Sequence, residues 1–246
     1  MSSTAHLLLG GRLLGFDDPH HVFAVLIQLG SILAIMWLYR VKIVNVIAGL
    51  PSDPDSRRFA GTIIVAVIPA LVAGALFSTF VKSVLYESPA VVATSFIVGG
   101  VVMLIVEKVR PLPTVLSAER TTLGQALGVG LCQMLAIIPG VSRSGATIVG
   151  GMVMGLDRAA AAELSFFVAI PTMIAAFSHD VLEVRGSLAP GLATEIAVGF
   201  VAAFLASLVV VRPFLDVIRR AGYAPFAWYR IAVGLSIFAA LAAGWR

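Results

Sequence analysis

Long apolar runs separated by short polar joints dominate the pattern along this chain. A helix crossing the hydrocarbon core of a bilayer takes roughly 20 mostly apolar residues. Five stretches come close, over residues 22–39, 59–80, 90–106, 159–178 and 194–211, and a shorter sixth runs from Ile231 to Trp245. Pro69 and Pro171 fall inside spans, where membrane helices carry proline as a kink once neighbours satisfy the freed carbonyl. One apolar stretch does not fit. Leu123 to Leu156 is split by Pro139-Gly140 into arms of 123–138 and 146–156, each too short to cross comfortably. The pattern predicts a single all-α, polytopic integral membrane domain over residues 1–246, with about six spanning helices plus re-entrant helical hairpins.

Composition excludes a soluble domain, because 59% of the residues are hydrophobic and 12% charged, where soluble chains carry roughly a quarter charged. The 17 Lys and Arg residues sit in short joints rather than in one patch, which argues against nucleic acid and for a topology signal. Arg40 to Arg58, Lys108 to Arg120 and Arg212 to Arg230 hold most of them, while the alternate joints hold Lys82 and Arg185. The positive-inside rule puts the first group in the cytoplasm. Both joints flanking residues 123–156 then lie on the cytoplasmic side, so that stretch enters and leaves by one face as a re-entrant hairpin. Cys132 alone makes no internal disulfide, and Ser-Ser-Thr directly after Met1 gives no sign of a removable signal peptide. Trp37, Tyr39, Trp228, Tyr229 and Trp245 read as interfacial anchors, and Tyr223 to Tyr229 as a surface loop.

The hairpin tip reads PGVSRSGAT, and Arg143 is the one formal charge between Arg120 and Asp157. An ionisable residue at membrane depth marks a functional site by default. The second arm offers unpaired N–H groups near Gly145 to Ile148 with Ser144 as their cap, and Arg143 adds a planar fork suited to phosphate oxygens. The competing reading is close helix packing by small residues, with Arg143 snorkelling to a surface. A weak echo, FAVLI at 23–27 and FFVAI at 166–170, together with three spans per half, predicts an inverted-topology repeat with halves of about 1–106 and 123–246. The partner hairpin is then residues 1–16, where Ser2, Ser3 and Thr4 precede His6, and a hydroxyl beside an imidazole is a minimal nucleophile and base.

SSTAH, IQLGSILA, IIPGVSRSGAT and LSFFVAIP, in this order and across the whole chain, resemble the bacitracin-resistance family of undecaprenyl-diphosphatases. The resemblance implies hydrolysis of undecaprenyl diphosphate to undecaprenyl phosphate and phosphate, recycling the lipid carrier of cell-wall synthesis in the bacterial cytoplasmic membrane. It implies Ser3 as nucleophile, His6 as proton relay and Arg143 as stabiliser of charge, with Ser2, Thr4, Ser142, Ser144, Gly145 and Thr147 binding the diphosphate. Ala5 stands where the family has glycine. The family's glutamate-rich motif, thought to hold a divalent cation (Mg²⁺ or Ca²⁺), is expected upstream of Met1 together with an inward arm of the first hairpin. No metal ligand is named in this chain, since Asp17, Asp18, Glu163 and Glu195 do not replace that motif, and the last two read as structural. The expected partners are the lipid and the membrane, with a homodimer left open, and the site is expected to open to the outer face. A transporter or flippase of a phosphate-bearing lipid is the alternative, since it needs anion binding at Arg143 but no nucleophile at Ser3.

Overall fold

A computed structural model describes residues 2–16, 22–81, 85, 88–183 and 192–244, and among these the chain forms ten α-helices and two 3₁₀ turns. Asp17, Asp18, Lys82, Arg185 and Trp245 lie outside the described residues. The helices are α1 (Ser3–Leu14), α2 (Val22–Leu38), α3 (Arg40–Gly49), α4 (Pro54–Phe80) and α5 (Pro89–Val109), then α6 (Leu123–Met134), α7 (Arg143–Val153), α8 (Arg158–Glu183), α9 (Leu192–Ala221) and α10 (Ala224–Ala242). Among the described residues, α4, α5, α8, α9 and α10 are each long and apolar enough to cross a membrane, and α2 and α3, bent by 72° at their junction, reach that length and hydropathy only when taken together. The chain is an all-α, multi-pass membrane protein.

Local sequence sets the helix ends. Thr122 and Gln125 form a reciprocal capping box at the start of α6. Asp157 caps α8 by accepting from the Ala160 N–H at 2.6 Å. Gly15, with φ of 64°, closes α1 as a left-handed cap. Pro69 and Pro171 lie inside α4 and α8, as the pattern predicts, and Pro213 lies inside α9, which runs ten residues beyond the predicted end.

Three predicted joints differ from the structure. The segment after Arg40, expected as a loop, forms α3, because Lys42 is satisfied at once by Glu163 at 2.9 Å and by Glu119, so charge there does not force the chain out of helix. That pairing gives Glu163 a structural partner. Tyr223 is buried rather than on a surface loop, because its N–H meets Glu107 at 3.3 Å and its hydroxyl donates to the Arg158 carbonyl at 3.3 Å. The last span starts seven residues earlier than predicted, at Ala224, and carries Arg230 inside it with 1% exposure.

The packing positions two polar tips. α5 lies along α10, α2 along α9, and α6 along α4, with α8 wedged between α2, α4 and α7. α5 and α10 approach closely through glycines: a Cβ on Gly234 would stand 2.8 Å from the Ala93 carbonyl, and one on Gly100 2.8 Å from that of Ala227. Exposed Val198, Val201, Leu205 and Val209 on α9 suit hydrocarbon rather than water.

Candidate functional site

The second tip is built by a break between α6 and α7. Leu135–Ile137 tightens into a 3₁₀ turn, and Gly140 follows with φ of 90°. A side chain at Gly140 is excluded by space as well, since its Cβ would lie 2.9 Å from Ser95 Cβ and from the Val92 carbonyl. Ser142 takes φ of 75°, the one positive φ outside glycine among the described residues, and caps α7 by accepting from the Gly145 N–H at 3.2 Å. Such a conformation costs about 1–3 kcal/mol and persists only where its surroundings enforce it. Ser144, expected as the cap, instead sets its hydroxyl 3.2 Å from that of Ser142. Because the helix begins at Arg143, three residues before the predicted arm, the amides left without an intrahelical acceptor are those of Arg143 and Ser144 rather than Gly145 to Ile148. Thr147 is buried and turned away from the tip, donating to the Arg143 carbonyl at 3.0 Å and lying 2.6 Å from the Ser165 hydroxyl of α8.

The first tip has the same design. Ser2 caps α1 by accepting from the Ala5 N–H at 3.4 Å, so Ser3 and Arg143 each occupy the first position of a serine-capped helix. Thr4 takes the next position, half-buried. Ser3 Oγ lies 3.1 Å from Gln28 Oε1, and the Gln28 amide donates through Nε2 to the Ala24 carbonyl at 2.7 Å, which leaves Oε1 to accept the serine proton. His6 sets Nδ1 2.7 Å from the Ser2 carbonyl and Nε2 2.8 Å from the Tyr229 hydroxyl. A carbonyl only accepts, so Nδ1 carries the proton and Nε2 is the free base. Ser3 and His6 are therefore close in the helix but not bonded to each other.

Both tips rest on α5 and α10. Ala5 is buried with Val92, Ala93, Phe96 and Ile237. Phe96 lies 5.5 Å from the His6 ring and beneath the Arg230 guanidinium at 5.1 Å. Arg230 donates to the carbonyls of Val141 at 3.0 Å, Gly140 at 2.9 Å and Ser95 at 2.8 Å, and more weakly to Phe96 at 3.4 Å. Adjacent residues of α10 thus hold the two tips, Tyr229 the first and Arg230 the second. At the second tip, Arg143 Nη1 is closed off from solvent with no hydrogen-bond partner among the described residues. A buried guanidinium N–H without an acceptor is a donor shaped for an anion.

Arg230, Tyr229, Gln28 and Ser165 are not among the site residues expected from the sequence. Arg230 was legible as a charge at the edge of an apolar run, but counting it as a topology signal hid it, and the lone Gln28 within IQLGS was the one other polar clue. Among the described residues no group of three His, Cys, Asp or Glu could hold a metal ion. They offer the expected divalent cation no carboxylate set.

Fold and tips together define the class: an all-α, multi-pass membrane protein with two serine-capped helix ends, each held by a residue of α10, and an arginine at the second end with no hydrogen-bond partner among the described residues. The chain belongs to the bacitracin resistance protein BacA family, whose model matches residues 1–236. It is 48% identical over 245 residues to an undecaprenyl-diphosphatase of Paracoccus denitrificans, covering all of this chain and 92% of that protein. An undecaprenyl-diphosphatase of Cereibacter sphaeroides is 49% identical, covering 100% and 91%. Undecaprenyl-diphosphatase 1 of Agrobacterium fabrum is 47% identical, covering 99% and 91%. These names do not favour the transporter reading.

Proposed function

We propose that this protein is an undecaprenyl-diphosphatase: it hydrolyses undecaprenyl diphosphate to undecaprenyl phosphate and inorganic phosphate. The observation that carries the reading is the buried, unpaired Nη1 of Arg143 beside the free amides at the start of α7. Phosphoryl transfer needs positioning and charge stabilisation above all, and an arginine fork with aimed N–H groups supplies both. Ser3 Oγ attacks the terminal phosphorus, the anhydride P–O bond breaks, and its electron pair leaves with undecaprenyl phosphate. His6, one turn along the same face of α1, takes the serine proton. Water then cleaves the phosphoserine and releases phosphate. Ser142, Ser144 and Gly145 line the diphosphate, while Thr147 acts from behind by fixing the first turn of α7 to Ser165.

The charged joints support a cytoplasmic position for the start of α4, α6, α8 and α10, so that the second tip points outward, the first points inward to meet it, and the site opens to the outer face of the bacterial cytoplasmic membrane. The matching caps at Ser2 and Ser142 support two inverted halves, with α1 and α7 as counterparts. Phosphate release from undecaprenyl diphosphate by purified protein in detergent tests the reading, with Ser3→Ala as the control. Release by wild type and loss in Ser3→Ala support it, and no release by wild type refutes the activity. Undiminished release by Ser3→Ala refutes the nucleophile.

A further inference from the structure

We propose that Tyr229 is a catalytic residue of this site, the group through which His6 receives the proton of the attacking hydroxyl. The proposal rests on the reading of Ser3 and His6 given above. Its basis is a count of what the imidazole can do. Nδ1 is committed to the Ser2 carbonyl at 2.7 Å, so only Nε2 can accept a proton. Nε2 is already met by the Tyr229 hydroxyl at 2.8 Å, with the two rings stacked at 5.8 Å and 12° between their planes. A proton reaching His6 must therefore pass through the phenol or displace it.

The surroundings favour passage. The His6 ring is held on three sides, by the Ser2 carbonyl, by Phe96 at 5.5 Å and by the tyrosine ring. Tyr229 is held in turn by its neighbour Arg230, whose guanidinium is fixed by four carbonyls. Displacing the phenol means breaking this stack, whereas relaying through it leaves the stack intact and needs only the Ser3 hydroxyl to turn from Gln28 to the phenol. Ser3 meanwhile donates to Gln28, a neutral amide that cannot take its proton. In the proposed step the Ser3 O–H bond breaks and its proton passes to the Tyr229 oxygen as the phenolic proton passes to His6 Nε2. The Ser3 O–P bond forms and the anhydride bond opens, so tyrosine ends the step as it began and histidine ends it as imidazolium. Tyr229 is 41% exposed, in the second turn of α10; its ring read as an interfacial anchor, and the hydroxyl is what that reading misses.

The test is a double-mutant cycle in purified protein with undecaprenyl diphosphate. Tyr229→Phe keeps the stacked ring and removes the relay, and general acid–base contributions run about 10²–10⁴-fold. The expected result is a fall in kcat of about a hundredfold, KM within about threefold of wild type, and an unchanged melting temperature. In a His6→Ala background the same substitution should cost less than about threefold, because two members of one path do not add. Tyr229→Phe with near-normal kcat would mean that the phenol is displaced, and overturns the proposal. So would an undiminished effect in the His6→Ala background, since tyrosine would then act without histidine. Should Tyr229→Phe unfold, para-aminophenylalanine at 229 keeps a donor in place: retained turnover supports the relay and lost turnover refutes it. His6→Ala at wild-type activity would instead sink the underlying reading of His6.

Discussion

Arg230 gives the sharpest test of how the site is held. It is 1% exposed, and its guanidinium serves four carbonyls. Ser95 and Phe96 lie inside α5 and keep their own helical donors, so removing Arg230 leaves two carbonyls of the tip, Gly140 and Val141, without the donor that now serves them. A buried polar group left unmet costs about 1–3 kcal/mol, giving about 2–6 kcal/mol for the pair. Against a stability of about 5–15 kcal/mol for a folded domain, that is a large share. At about 2–4 °C per kcal/mol for a chain near this size, Arg230→Met should lower the melting temperature in detergent by about 10 °C. Arg230→Lys keeps the charge but not the planar fork, and should fall between the two. Because Gly140 and Val141 lead directly into Ser142 and Arg143, turnover should fall in the same order as melting temperature. Arg230→Met melting within about 2 °C of wild type would refute the argument that these carbonyls need a donor.

Other expectations follow from the same geometry. Gly99→Ala would set a Cβ 2.9 Å from Arg230 Cζ, so it should reproduce part of the Arg230 loss in both melting temperature and kcat. Ser142→Gly relieves a positive φ worth about 1–3 kcal/mol while giving up a cap worth about 1 kcal/mol, so the variant should melt no lower than wild type yet turn over more slowly. Burial alone would raise the Glu119 carboxyl, but hydrogen bonds from Lys42 and Ser117 outweigh it and hold the group below the ordinary carboxylate range. A depressed folded value contributes stability that is present above the unfolded value and lost as pH falls through the folded one. Glu119→Gln should therefore flatten the acid side of a melting-temperature-against-pH curve while leaving neutral-pH turnover intact.

The long apolar runs carried the spans because length and hydropathy are nearly sufficient to define a helix in a bilayer. They carried the helical hairpin of α6 and α7 too, since Pro139-Gly140 splits that stretch into two short arms. Charge was the weaker guide. Arg230 and Lys42 were read as cytoplasmic punctuation, yet the first is buried by backbone carbonyls and the second is paired with Glu119 and Glu163, neither adjacent in sequence. The same limit applies at the tips. Ser2, Ser3, His6, Ser142 and Arg143 could be picked by type and spacing, whereas the α10 residues that hold the tips lie 89 or more positions away. Cap assignment failed by two residues at Ser144, because nothing in the sequence announces that Ser142 takes a positive φ.

The central claim is that Arg143 holds the diphosphate through its fork, and Arg143→Lys tests it most directly. Lysine preserves the positive charge and loses the bidentate geometry. Steady-state phosphate release from undecaprenyl diphosphate should fall by about a hundredfold or more in kcat/KM, consistent with the loss of about 3 kcal/mol of transition-state stabilisation typical of one such donor, while the melting temperature holds. Near-normal release by Arg143→Lys would contradict the account, because a point charge would then serve as well as the fork whose free N–H group defines the site.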